Sequence, residues 1–121
     1  MSYLNEVQKM YDMLRQGQMM DAFEKFYHEE VIMEEATGEI RKGKAANREF
    51  QLNWLASVET IHGGGTHSVT SNEETGHTAV ESWMDITFKD GNRMKMEEVA
   101  IQKWEGDKIV RERFYYNIPG Q

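Results

Sequence analysis

The chain has 121 residues, and its 14 lysines and arginines against 21 aspartates and glutamates give a formal net charge of −7. That length suits one domain spanning residues 1–121. The absence of cysteine excludes disulfides, thiolate metal sites and cysteine nucleophiles. An acidic chain without a basic cluster repels the phosphate backbone of nucleic acids. No apolar run approaches the roughly 18 residues that a membrane-spanning helix needs. We therefore expect a cytoplasmic protein without nucleic-acid or membrane partners.

The first part of the chain has helical periodicity. Apolar residues recur at steps of three and four over residues 4–14, which predicts a helix that ends near Gly17. A shorter apolar stripe over residues 19–27 predicts a second helix. Because the break between the two stripes is short, we expect an antiparallel helix pair.

A mixed segment follows the helix pair. Residues 31–35 are predicted to form a brief strand, and residues 37–43 are rich in turn-forming types. A third helix is predicted to begin near Lys44 and to carry the apolar side chains of Phe50 and Trp54.

The second half has the composition and period of β-strands. Stretches rich in β-branched and aromatic residues at 78–88, 93–104 and 108–116 are separated by tight turns. Three consecutive glycines within residues 62–66 indicate a bend or bulge in a further strand whose pairing continues across them. The predicted order is α-α-β-α followed by about four strands, which is an α+β class rather than a parallel βαβ array.

Two segments resemble a known family. Residues 31–46, VIMEEATGEIRKGKAA, contain a short strand, an acidic pair, a glycine turn and an Arg-x-Gly that opens a helix. This arrangement resembles the SnoaL-like branch of the nuclear transport factor 2-like superfamily, and residues 104–116, WEGDKIVRERFYY, resemble its closing hairpin and last strand. The resemblance implies a cone-shaped domain in which a curved, mixed or antiparallel sheet wraps around about three N-terminal helices and leaves a pocket at the open end.

Relatives of this kind include ketosteroid isomerases, polyketide cyclases, dehydratases, epoxide hydrolases and proteins with no known activity. In the isomerases, the second carboxylate of the acidic pair is the proton-transferring base, and Glu35 holds that place here. A carboxylate that faces an apolar pocket loses hydration, which raises its pKa and makes it a useful base near neutral pH. The alternative is that Glu34 and Glu35 are both solvated acids in a glutamate-rich segment.

The resemblance also points to Tyr11 and to the region of Glu98. Tyr11 lies 24 residues before Glu35 (35 − 11), where the isomerase pattern has a tyrosine that donates to a developing enolate oxygen. Tyr11 is alternatively a core residue of the first helix. Ala100 stands where the isomerases have a protonated aspartate. Glu98, two residues earlier on the same strand face and about 7 Å away, is the candidate substitute, and this departure argues against true steroid isomerisation.

A further set of residues is predicted to line the pocket, and Trp83 and Asp85 belong to it because a strand in a curved sheet can have both faces covered. The set comprises Trp54, Trp83, Asp85, Met96, Ala100, Glu112, Phe114 and Tyr116. For Trp83, the alternative is an exposed position in a dimer contact.

The four histidines have no metal-ligand spacing, so we expect neither a metal nor a cofactor. The predicted function is binding of a small, largely apolar molecule, with isomerase- or cyclase-type acid–base chemistry through Glu35. Hydrolysis would require Asp85, Glu98 and Arg113 all to face inward. The other alternative is a non-catalytic ligand-binding or dimerisation module. Either use is compatible with a homodimer formed through the outer sheet face.

Overall fold

The computed structural model describes residues 2–118, which form three α-helices and six β-strands. In chain order, the elements are α1 (Tyr3–Arg15), α2 (Met19–Phe26), β1 (Tyr27–Glu34), β2 (Ile40–Lys42), α3 (Lys44–Ser57), β3 (Val58–Asn72), β4 (His77–Phe88), β5 (Arg93–Glu105) and β6 (Lys108–Tyr115). The predicted α+β class is confirmed.

The six strands form one mixed sheet in the order β2-β1-β6-β5-β4-β3. The last strand, β6, pairs in parallel with the first, β1, and every other neighbouring pair is antiparallel. Register shifts interrupt the β3–β4 pairing at three places, and shifts also occur in the β1–β6 and β5–β6 pairings. Because a bulge bends its strand and increases the local twist, these irregularities curve the sheet into the open cone of the nuclear transport factor 2-like fold.

The main core lies between the concave face of the sheet and the first two helices. Val7 and Met10 of α1 and Phe23 and Phe26 of α2 are buried there, and the ring of Phe26 meets Trp104 edge-on at 6.1 Å. Complete burial of one such apolar side chain contributes about 1.5–3 kcal/mol. The helical stripes predicted from the sequence are therefore the faces that pack against the sheet.

Most predicted elements are confirmed, and the main differences lie between residues 27 and 43. β1 begins at Tyr27, where the second helix was predicted to end, and the turn-rich segment contains the short strand β2. Phe26 and Tyr27 are both buried, so the apolar pattern does not mark the point where the backbone changes from helix to strand. The three residues of β2 are too few to show alternation, which explains why that strand was missed.

The triple glycine lies inside β3, where two of its members accommodate Trp83 of β4. A Cβ atom on Gly63 would stand 3.3 Å from the indole atom Cη2 of Trp83, and one on Gly65 would stand 3.2 Å from Nε1. The indole therefore lies across a strip of backbone on the convex face of the sheet. The predicted continuation of pairing across the glycines is confirmed, with a register shift between Ile61 and Gly63.

Within residues 2–118, none of the helices is both long enough and apolar enough to span a membrane.

Candidate active site

Glu35 follows the last residue of β1 on the inner side of the cone. Val31 and Met33 are buried, and Glu35 continues their alternation. Its carboxylate has a partner on each oxygen: the Tyr116 hydroxyl donates to Oε1 at 3.0 Å, and the Arg41 guanidinium forms an ion pair with Oε2. Glu35 is thus a partly buried carboxylate whose charge is balanced by a fixed cation, rather than a freely solvated acid.

The other member of the acidic pair, Glu34, points to the opposite face. Its carboxylate lies 3.0 Å from Nη2 of Arg111 and 3.7 Å from Nη2 of Arg113, both on β6. Consecutive strand residues alternate between faces, so the pair is divided between the concave and convex sides. Of this acidic pair, only Glu35 can act inside the cone.

Glu98 lies on the inner face of β5, in alternation with the buried residues Ala100 and Gln102. Burial, reinforced by the negative charge of Glu35, raises the pKa of Glu98 from 4.5 to about 7. A substantial fraction of Glu98 is therefore protonated at neutral pH. Glu35 and Glu98 are therefore interior acids of different character, an ion-paired carboxylate and a carboxyl group that is partly protonated at neutral pH.

Tyr11 projects from α1 towards these acids. Burial raises its pKa well above the ordinary value, and the negative charges of Glu112 and Glu98 add to the increase. The phenol therefore remains a hydrogen-bond donor across the physiological range. Tyr11 also packs against the main core, so both interpretations made from the sequence, core residue and interior donor, remain compatible with its position.

A chain of polar side chains crosses the core beneath these groups. The Trp104 indole donates to the Thr78 hydroxyl at 2.9 Å, and that hydroxyl donates to Oε1 of Gln102 at 2.6 Å. The Gln102 amide donates to Oε2 of Glu112 at 2.7 Å, and the hydroxyl of Tyr27 donates to Oε1 of Glu112. Each member thus compensates for the loss of water around the next one.

Glu112 is the acid at the end of this chain, and only 2% of the residue is exposed. Burial raises the pKa of Glu112 to about 7, although the hydrogen bonds from Tyr27 and Gln102 favour the ionised form. The Tyr27 pKa is raised well above its ordinary value for the same reason, burial, with the charge of Glu112 in second place.

Tyr116 is at the outer limit of the site. Burial and the hydrogen bond to the charged Glu35 raise its pKa to about 12, so it donates to Glu35 at all physiological pH values. An open groove of about 420 Å³ lies beside the end of β6. Much of its lining, including Glu97 and Tyr115, belongs to the convex face, and of the predicted site residues Glu98 and Tyr116 also line it.

Other predicted lining residues share the inner face. Ala100 is fully buried, Phe114 packs against the main core, and Met96 is 37% exposed on the same side of β5 as Glu98. The ring of Trp54 on α3 meets that of Phe88, the last residue of β4, edge-on, with 6.4 Å between the ring centroids.

Trp83 and Asp85, which were predicted to line the pocket, lie on the convex face instead. Val80 and Ile86 are fully buried on the concave side of β4, and strict pairing with β5 places the odd-numbered residues opposite them. Trp83 covers the backbone of β3, and Asp85 forms a bidentate pair with Arg93 at 3.1 and 3.0 Å. The prediction failed because it allowed both faces of β4 to border the cone interior.

The sequence-based prediction missed several interior polar residues. Gln102 could have been found from strand alternation, because it follows Glu98 and Ala100 on one face. Arg41 was noted only as part of the Arg-x-Gly motif, and nothing in the pattern indicated that its side chain meets Glu35. Tyr27 was predicted to belong to the second helix, so its place on β1 and its contact with Glu112 were missed. Among residues 2–118, no group of three or more histidine, aspartate or glutamate side chains is arranged to hold a metal ion.

The buried acid Glu112 generates a prediction about stability. Its pKa is about 7 in the folded protein and 4.5 in the unfolded chain. Between pH 4.5 and pH 7, Glu112 therefore keeps its proton in the folded protein and loses it on unfolding. The free energy of unfolding should therefore fall as the pH rises from 4.5 towards 7, by about 3 kcal/mol from this group, and then level off.

The substitution Glu112→Gln should remove this part of the pH dependence, because its amide can donate to Tyr27 and its oxygen can accept from Gln102. Urea unfolding of both proteins at about pH 5 and about pH 8 measures the difference. Glu105→Gln, at an exposed residue, is the control. An equal pH dependence in wild type and Glu112→Gln would contradict the assignment.

Comparisons with known proteins agree with this fold. The family model described as SnoaL-like domain matches residues 1–116. A proposed SnoaL-like polyketide cyclase from Mesorhizobium loti is 29% identical, with a TM-score of 0.84 over 96% of this chain and 100% of that chain. A proposed polyketide cyclase from Pseudomonas putida is 23% identical, with a TM-score of 0.81 over 98% of this chain and 93% of that chain.

A more distant structure is a Catenulispora acidiphila protein with a ketosteroid isomerase-like fold, in complex with trimethylamine. It is 13% identical, with a TM-score of 0.75 over 93% of this chain and 85% of that chain. No protein of curated function matches the chain in sequence. The match over residues 1–116 and the confirmed fold place the chain in the SnoaL-like domain family.

Proposed function

We propose that this domain binds a small, largely apolar, enolisable molecule and transfers a proton between carbon and oxygen. The observation that carries the proposal is the pairing of unlike acids inside the cone. Glu35 is ion-paired to Arg41, whereas burial raises the pKa of Glu98 to about 7. Two acids whose environments separate their protonation states form the pattern of a general base and a general acid.

In this mechanism, the Glu35 carboxylate takes a proton from the carbon next to a carbonyl group. The electron pair of the broken C–H bond moves into the carbonyl, and the developing oxygen anion accepts a hydrogen bond or a proton from Glu98. Tyr11 is the second candidate donor to that oxygen, because its raised pKa keeps its proton in place. Return of a proton at another carbon completes an isomerisation, whereas attack of the enolate carbon on a second carbonyl forms a ring and an alkoxide, which takes the proton that Glu35 had removed.

The surroundings of the acids support an apolar ligand. Phe114 and Met96 share the inner face with Glu98, and the methionine side chain adapts to irregular shapes. Relatives named as polyketide cyclases support the same reaction class, because cyclisation begins with removal of a proton next to a carbonyl.

The first test replaces the proposed base. Deuterium uptake by 2-tetralone, a small ketone fused to an aromatic ring, can be followed by proton NMR in D2O. Glu35→Gln should reduce the protein-catalysed rate by about 10²–10⁴-fold, because the amide cannot accept the proton. Glu34→Gln is the matched control, since its side chain lies on the convex face. Equal catalysed rates in both variants, or no catalysis by the wild type over a panel of such ketones, would reject the proposal.

The second test uses the pH dependence of the same exchange. The acid form of Glu98 is required, so the rate should fall as the pH rises through about 7. Glu98→Gln removes the titrating group but retains an N–H donor, so this variant should be slower and should lose the high-pH decline. Glu97→Gln, at the exposed neighbour on the other face, should retain it. A high-pH decline that persists in Glu98→Gln would assign the titration to another group.

We also propose that the convex face forms a homodimer, which is the alternative use of the fold as an association module. Ile101 and Tyr115 are exposed there, 36% and 45% respectively, and Val99, two residues before Ile101 on β5, pairs with Tyr115 of β6. The charges beside this patch have both signs, with Lys95 and Glu97 on the same face, so a two-fold axis can bring unlike charges together.

Light scattering after size-exclusion chromatography tests the dimer. Ile101→Lys should increase the dissociation constant at least about tenfold, because it inserts a charge into an apolar contact. Ile40→Lys, which changes an equally apolar exposed residue on the distant strand β2, is the control. A wild-type monomer at high micromolar concentration would exclude the dimer.

A further inference from the structure

We propose that Arg41 is the positioning residue of Glu35, and that Asn47 and Phe50 of α3 hold its guanidinium group in place. This inference deepens the proposed function, because it says what orients the base, and so it rests on that proposal for its catalytic meaning. The three residues Arg41, Asn47 and Phe50 are called the clamp below.

The guanidinium of Arg41 is held along its length. Its Nε atom donates to Oδ1 of Asn47 at 3.1 Å, and the ring of Phe50 lies 3.5 Å from its central carbon. One terminal nitrogen meets Glu35, and the other lies 3.2 Å from the exposed carboxylate of Glu39. A planar group fixed by an edge contact, a face contact and two ion pairs has little freedom to rotate.

Asn47 connects this guanidinium to the backbone. Its residue is 0% exposed, and its amide nitrogen donates to the carbonyl of Arg41 at 3.2 Å and to that of Gly43 at 2.8 Å. Gly43 has a φ of 92°, a conformation that favours glycine, and its N–H donates to the carbonyl of Val31 on β1 at 2.8 Å. The Arg-x-Gly motif therefore sets the path of the chain, and Asn47 links that path to the Arg41 side chain.

The clamp leaves Glu35 able to act. A carboxylate has about four lone-pair sites, and the contacts with Arg41 and Tyr116 use one site on each oxygen. The remaining sites can accept a substrate proton while the side chain keeps one orientation. Tyr116 contributes the second fixed point, on the oxygen that Arg41 does not contact.

A gain in folding stability does not by itself explain why the ion pair between Arg41 and Glu35 is buried. The side chains of Arg41 and Glu35 are only 9% and 14% exposed, and removing two charges from water costs free energy that their attraction only partly offsets. The pairs of Arg93 with Asp85 and of Arg48 with Glu24 show that this chain forms bidentate arginine contacts on its surface without that cost. A buried pair at the candidate base is therefore better explained by orientation.

The decisive experiment measures the clamp without using turnover. In the intact chain, the Nε–H of Arg41 should exchange with solvent at least about tenfold more slowly than that of Arg93, whose side chain is 60% exposed, in ¹⁵N NMR. Asn47→Ala should bring the Arg41 rate close to that of Arg93 and should increase the mobility of the Glu35 side chain in ¹³C relaxation. Asn53→Ala, at an exposed asparagine of the same helix, should change neither quantity.

Exchange into 2-tetralone then tests the consequence for the base. Asn47→Ala and Phe50→Leu should lower kcat by up to about 10²-fold, with little change in KM, because a shift of about 1 Å in a reacting group costs that much. Arg41→Lys should recover part of the rate lost in Arg41→Gln, since it restores the charge but not the planar fork. Phe50→Leu keeps the test valid if Asn47→Ala fails to fold, because Phe50 is 38% exposed.

The possible outcomes separate the two proposals. If the wild type has no exchange activity but Asn47→Ala mobilises Glu35, the proposed function fails and the clamp stands. If Glu35→Gln abolishes activity whereas the clamp variants leave Glu35 mobility and kcat unchanged, the positioning role is overturned. If Asn47→Ala and Phe50→Leu lower stability without changing the mobility of Glu35, the clamp contributes only to packing and the proposal is rejected.

Discussion

The parallel pairing of β1 with β6 is the constraint on which the rest of the molecule depends. It aligns Met33 with Glu112 and Glu34 with Arg113, although these residues are 79 positions apart in the chain (112 − 33 and 113 − 34). The same alignment brings Tyr27 to Glu112 and Glu35 to Tyr116. Without this pairing, β2 and β1 would be a separate two-stranded ribbon, and the candidate base would lie outside the cone.

The interior combines this geometry with an unusual distribution of charge. Two of its acids, Glu98 and Glu112, retain protons to about pH 7 because they are buried, whereas Glu35 has a guanidinium beside it. The cost of removing these acids from water is thus reduced in two ways, by a bound proton on Glu98 and Glu112 and by a neighbouring cation at Glu35. The formal net charge of −7 counts every carboxyl group as ionised, so below about pH 7 it overstates the negative charge that the folded protein carries.

Alternation of side chains accounts for much of what the sequence could predict. It places Glu98, Ala100 and Glu112 on the inner face, and helical periodicity identifies the core stripe of α1. Alternation alone cannot say whether one face of a strand or both faces border the interior, and for β4 the assumption that both do so assigned Trp83 and Asp85 to the pocket. The contact between Arg41 and Glu35 was also beyond prediction, because it depends on the turn geometry at Gly43 and on a buried asparagine one turn into α3.

The pairing of β1 with β6 also affects the way in which the chain is made. On the ribosome, β1 emerges long before its partner, and until residues 108–115 are synthesised only the three residues of β2 can cover one of its edges. Val31 and Met33, which are buried in the finished protein, remain without their strand neighbour during that interval. Loop closure across almost the whole chain also makes such folds slow to form. The interval between synthesis of β1 and synthesis of β6 is therefore the period in which this protein is most exposed to aggregation and to capture by chaperones.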